Sequence, residues 1–117
     1  MFYYAAKSLP SSKKIIFICK KKIIFIHKLK FFIKKFFKNR KIIEIIKKTN
    51  GQATTCKLAS KYLRNDDIVT YGSCDYFYKF NRKQFNQLIN SNDLIVFVHK
   101  PMKTNIANFK DYGWIKK

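Results

Sequence analysis

The chain has 117 residues, 47% of them hydrophobic, and sets 26 Lys and Arg against 6 Asp and Glu, a formal net charge of +20. That length fits one modest domain with apolar material for a core and much surface left over. Charge of this size repels itself in a compact isolated protein, so the composition argues against a self-sufficient neutral domain and for a polyanionic partner, either nucleic acid or anionic membrane.

In chain order, residues 1–12 (MFYYAAKSLPSS) form a lead-in punctuated by Pro10 and two serines. Residues 13–50 are a basic, apolar arm. They open with an octapeptide written twice, KKIIFICK then KKIIFIHK, with His27 in the place of Cys19. Eight residues turn a helix by two turns and roughly 80° more, so the copies would face different ways. In a strand the period of two puts Ile15, Phe17 and Cys19 on one face, and Ile23, Phe25 and His27 likewise. Ile and Phe favour strands, yet Lys20-Lys21-Lys22 lacks the Gly, Asn or Asp of a hairpin turn. The expectation is helix for 21–28, with 13–20 open between strand and helix. Slippage in AT-rich DNA is a second source for the duplication itself.

Leu29, Phe32, Ile33, Phe36 and Ile43 then fall at helical spacing, with Lys30, Lys34, Lys38 and Lys41 on the flank and back. This pattern predicts a helix over roughly 28–48, about 30 Å long, stopped at Asn50-Gly51. Phe31 and Phe37 break the stripe and imply contact on more than one side of it.

Residues 51–117 read as an ordinary small domain. Thr54 or Thr55 can cap a short helix through Arg64, with Leu58, Tyr62 and Leu63 inward. Asn65-Asp66-Asp67 is a turn. Residues 68–71, 74–80 and 94–99 read as strands. Asn81 caps a further helix whose buried edge is Phe85, Leu88 and Ile89. Pro101 ends the last strand, and a tail through Trp114 wraps a neighbour. The expected class is α+β: a long basic N-terminal helix, about 21–48, followed by a small α-β-β-α-β domain with an extended C-terminal tail.

The chain carries no motif of a known reaction. Its three glycines form no phosphate loop, and there is no nucleophile elbow and no HExxH. Asp66-Asp67 is the only adjacent acidic pair and brings too few oxygens for a cation site. Cys19, Cys56 and Cys74 are odd in number and widely spaced, which reads as three free thiols rather than a disulfide or zinc framework. Pairing of Cys19 with His27, or of Cys74 with His99, is the weaker alternative. The expectation is a protein that is not an enzyme and has no cofactor, no metal and no small-molecule substrate.

A membrane span is not expected. Lys20, Lys21 and Lys22 would sit near the middle of any segment forced across, where each lysine costs about 2.5–3.5 kcal/mol. Residues 1–43 hold no acid, as in a transit peptide, but they have a single Arg and are crowded with Ile and Phe. A mature segment is the preferred reading.

Phosphate contacts are expected from the lysines of the repeat, Lys13, Lys14, Lys20, Lys21, Lys22 and Lys28. Along the helix they are expected from Lys30, Lys34, Lys35, Lys38 and Lys41. Arg40, Arg64, Arg82 and Lys83 join them, arginine because its fork grips phosphate and stacks on bases. Aromatic and basic residues interleave in YFYKFNRK, residues 76–83, a pattern suited to stacking unpaired bases or to filling one face of a strand.

Lys, Ile, Phe, Asn and Tyr, the residues of A- and T-rich codons, dominate the composition, with 23 Lys to 3 Arg. The scarcity of acids does not follow from that bias. In size, basicity and vocabulary, and in a basic arm such as KLKFFIKKFFKNRK beside an α+β unit, the chain resembles an organelle-encoded mitochondrial ribosomal protein. The resemblance is one of type. It implies an rRNA-binding structural role in the mitochondrial matrix, with rRNA and neighbouring ribosomal proteins as partners. The rival is an accessory subunit of an inner-membrane respiratory complex, its Phe and Ile stripe lying along the bilayer. Binding of nucleoid DNA is a third reading, without helix-turn-helix spacing to support it.

Overall fold

A computed structural model describes residues 1–100, which fall into two units, Met1–Phe80 and a second beginning at Asn81. The first is an α+β unit built on a two-stranded parallel sheet. Its elements are α1 (Phe2–Ser8), β1 (Ile15–Lys20), α2 (Lys21–Ile26), α3 (Leu29–Phe36), β2 (Arg40–Ile45), α4 (Gln52–Lys57) and a 3₁₀ turn at Ser60–Tyr62. The second unit contains α5 (Arg82–Ile89).

β1 pairs with β2 in parallel, with Ile15 opposite Arg40, Phe17 opposite Ile42 and Cys19 opposite Glu44. Parallel strands cannot be joined by a tight hairpin and need a crossover of a dozen or more residues. Residues 21–39 supply it as two short helices. Between these helices Lys28 adopts the left-handed conformation, φ 48° and ψ 33°, unusual for a residue with a Cβ. After α3, Asn39 clasps the start of β1. Its side-chain amide donates to the Lys13 carbonyl, and its own carbonyl accepts from the Ile15 N–H at 3.0 Å.

The alternation of β1 and β2 divides the unit into layers. On the Phe17 face, Phe17 meets the Phe37 ring at 5.0 Å and the Phe2 ring at 6.4 Å, while Tyr3 meets Phe36 at 4.9 Å. Glu44 on the same face pairs with Lys30 of α3. The buried apolar residues are Ala5, Ile24, Ile33, Phe37 and Ala59, with Ile33 fully enclosed. On the opposite face, Lys41 reaches Tyr62 of the 3₁₀ turn.

Several sequence expectations are corrected here. Residues 28–48 are not one helix, and no long basic arm stands apart from the domain. Helix ends at Phe36, and 40–45 is a strand. Ile42, Ile43 and Ile45 suit a strand, and the free edge of β1 provides a ladder that a helix could not use. Residues 13–20, left open by the sequence, are mostly strand, and helix over 21–28 is present to Ile26. Gly51 does not stop a helix. With φ 98° it precedes α4, whose Thr54 and Thr55 hydroxyls donate back to the Asn50 and Gly51 carbonyls. The expected helix to Arg64 is divided into α4 and the 3₁₀ turn, and Leu58 is exposed. Residues 68–71, 74–80 and 94–99 join no ladder among the described residues.

In the second unit, Asn81 caps α5 as expected, its Oδ1 accepting from the Gln84 N–H at 3.1 Å. Phe85 is buried and stacks on Phe97 at 5.7 Å, while Leu88 is exposed and Ile89 half-buried. The expectations for Pro101 and the tail through Trp114 lie outside the described residues.

Candidate nucleic-acid interface

The expected cations do not lie on one helix flank. Lys13 and Lys14 lead into β1, and Lys20 ends it. Lys21 and Lys22 open α2, Lys28 links the two helices, and Lys30, Lys34 and Lys35 ride on α3. Lys38 lies in the turn before β2, which carries Arg40 and Lys41. Arg64 follows the 3₁₀ turn, and Arg82 and Lys83 open α5 in the second unit. The flank formed by Lys30, Lys34, Lys38 and Lys41 in a continuous helix is therefore dispersed over a helix, a turn and a strand.

Among the described residues, two of these cations are met by acids. Lys30 pairs with Glu44, the only glutamate in the chain. Arg64 lies 3.8 Å from Asp66 and 3.7 Å from Asp67, and its N–H donates to Asp67 at 2.9 Å. This fold of Arg64 over its own turn gives the Asp66-Asp67 pair a local structural role. Arg40 is half-buried and hooks its guanidinium onto the Lys38 carbonyl at 2.7 Å. The remaining expected lysines are exposed.

The fold makes one cationic cluster that spacing in the sequence does not reveal. Lys41 on β2 is in register with Ile16, and Lys14 stands just before β1, two residues before Ile16, so the pairing of the strands brings the two lysines near one another. The 3₁₀ turn brings the Tyr62 ring to them. The ammonium of Lys41 lies 4.8 Å from the ring centroid, that of Lys61 5.2 Å and that of Lys14 5.7 Å. Lys14 also donates to the Tyr62 carbonyl at 3.3 Å. Exposed cation–π contacts are each worth about 0.5–1 kcal/mol. They hold three like charges around one half-buried ring, and none of the three meets a carboxylate among the described residues. Lys61 and Tyr62 were not among the expected contacts, because the strand register that assembles them is a tertiary property.

Helix ends add to the uncompensated charge. Lys21 and Lys22 in the first turn of α2, and Arg82 and Lys83 in the first turn of α5, face the positive end of a helix dipole, and neither first turn holds an acid.

Several large aromatic side chains are also exposed. Phe25 is 85% exposed, Phe31 64% and Phe77 66%. Tyr76 and Tyr78 lie with ring centroids 6.3 Å apart. Among the described residues no helix is long and apolar enough to cross a membrane, and no three of His, Cys, Asp and Glu converge as a metal site would require. Cys19 is half-buried beside Cys74, and burial first, then the Cys74 charge, pushes its thiol above the usual range. Burial does the same to Cys56.

Compared with known proteins, the chain matches no family model, no curated sequence and no solved structure.

Proposed function

We propose that this protein is a structural component of a mitochondrial ribosome, encoded in the organelle and acting in the matrix without catalysis, cofactor or small-molecule substrate. Its lysines bind rRNA phosphates, and its exposed apolar side chains pack on neighbouring ribosomal proteins. The observation that carries this reading is the gathering of Lys14, Lys41 and Lys61 on one ring, none of them paired with a carboxylate among the described residues. A fold that holds like charges together in isolation is offset by an anion in its working state. Counterion release from the RNA backbone would then drive binding and make it steeply salt-dependent. A-form RNA offers such a surface through its phosphates and shape rather than its bases.

The exposure of Phe25, Ile26 and Phe31 on lysine-bearing helices favours a second reading, an accessory subunit of an inner-membrane respiratory complex. Sedimentation after gentle organelle lysis separates the two. The ribosomal reading expects the protein in ribosomal particles and its release by ribonuclease. Migration with detergent-solubilised respiratory complexes, indifferent to ribonuclease, would overturn it.

A further inference from the structure

Lysines on a flexible surface contact phosphates one by one. The three around Tyr62 are arranged differently. A ring has two faces, so at least two of the ammoniums over it share a face. Lys14 and Lys41 are set beside each other by the β1–β2 register, and Lys61 is adjacent to Tyr62 in the chain. Lys14 is further held by its bond to the Tyr62 carbonyl. The cluster therefore comes from a strand lead-in, a strand and a 3₁₀ turn, joined by long-range pairing rather than by a run in the sequence.

We infer that Lys14, Lys41 and Lys61, oriented by Tyr62, form a site for a single phosphodiester group of an RNA backbone. The inference rests on the RNA-binding reading and sharpens it: three lysines serve one phosphate. The aromatic ring is a positioning element that holds all three ammoniums within 5.7 Å of one centroid before the phosphate arrives. An oxyanion with several acceptor oxygens can take hydrogen bonds from all three ammonium groups at once, which no neutral ligand rewards equally.

Salt titration of binding to a fluorescein-labelled RNA hairpin tests this, because the slope of log K against log[salt] counts phosphates neutralised, at about 0.7–0.9 for each. Lys14→Gln, Lys41→Gln and Lys61→Gln singly should each leave the slope nearly unchanged, since two lysines still hold the phosphate. The triple variant should lower it by about 1. Equal, additive losses from the single variants, or an unchanged slope in the triple, would overturn the shared site and leave RNA binding by the other lysines standing. Wild-type protein that ignores the hairpin and binds vesicles of phosphatidylcholine with cardiolipin would overturn both readings. Tyr62→Leu should weaken hairpin binding several-fold, with Tyr62→Phe restoring it; a Tyr62→Phe defect as large as Tyr62→Leu would refute the ring's orienting role. Inorganic phosphate should raise the Tm of the wild type more than that of the triple variant at matched ionic strength, and equal increments would count against the site independently of RNA.

Discussion

Ser8 ties together two segments seventy residues apart: its Oγ accepts from the Tyr78 N–H at 2.9 Å while donating to the Ala5 carbonyl at 2.7 Å. The side chain is buried, so water cannot replace the bond it makes to the 70s segment. Ser8→Ala should cost about 1 kcal/mol in urea unfolding, and amide exchange at Tyr78 should quicken.

The core is small, so its members matter individually. Ile33 is fully enclosed and Phe37 is 4% exposed, whereas Phe25 is 85% exposed. Ile33→Ala should cost about 2–5 kcal/mol and Phe37→Ala about 3–5 kcal/mol, a large share of the stability of so small a unit. Phe25→Ala should fall within about 0.5 kcal/mol of wild type. Thermal melts of the three variants give the comparison directly.

Two backbone positions should respond with opposite signs. Lys28 holds φ 48° with a Cβ, and Gly51 holds φ 98° without one. Lys28→Gly relieves a left-handed penalty of about 1–2 kcal/mol, partly cancelled by the freedom glycine adds to the unfolded chain; a net gain of a few tenths to about 1 kcal/mol is expected. Gly51→Ala should lose about 1–3 kcal/mol, since its conformation is one that only glycine adopts readily. A stabilised Gly51→Ala variant would refute the turn geometry at α4.

Lys83 sits at the unfavourable end of the α5 dipole. Lys83→Glu should stabilise α5 by about 1 kcal/mol and weaken RNA binding by adding a negative charge at a proposed contact. Stability and affinity moving in opposite directions is the outcome that marks the residue as retained for a partner. A fall in both would assign Lys83 a structural role instead.

Thiol reactivity reports on the packing of β1. Cys74 is exposed, while burial, helped by the Cys74 charge, raises the pKa of Cys19. A raised pKa means less thiolate at a given pH, and the thiolate is the nucleophile. Iodoacetamide at pH 8 should therefore label Cys74 several-fold faster than Cys19, and the Cys19 rate should climb on raising the pH. Equal labelling rates by peptide mass spectrometry would contradict the burial of the sheet.

Much of the architecture was not legible in the residues alone. The helical stripe Leu29, Phe32, Ile33, Phe36 was read correctly as helix, but its extension to Ile43 rested on that one residue, seven positions beyond Phe36. Phe37, which broke the stripe, proved to be core because the chain turns there and directs it against Phe17. The Asn81 cap was legible because a cap is a local bond between residues three apart. Residues 68–71, 74–80 and 94–99 carry strand-forming side chains but join no ladder among the described residues, since propensity describes fit to a pleated neighbour and supplies no partner. The lysines of the candidate interface were visible individually; their convergence on Tyr62 was not.

The doubled KKIIFI shows where that boundary falls. In the first copy Ile15–Ile18 belongs to β1; in the second the whole hexapeptide, Lys21–Ile26, is α2. The sequence by itself determined the net charge of +20, the scarcity of acids and the alternation of apolar strips with lysine clusters. It did not determine the backbone of either copy, because six residues rich in Ile and Lys have too small a local preference to choose. Tertiary structure chose: the first copy found a parallel partner in residues 40–45, and the second, following it directly, had to carry the chain back along the crossover that such a pairing demands.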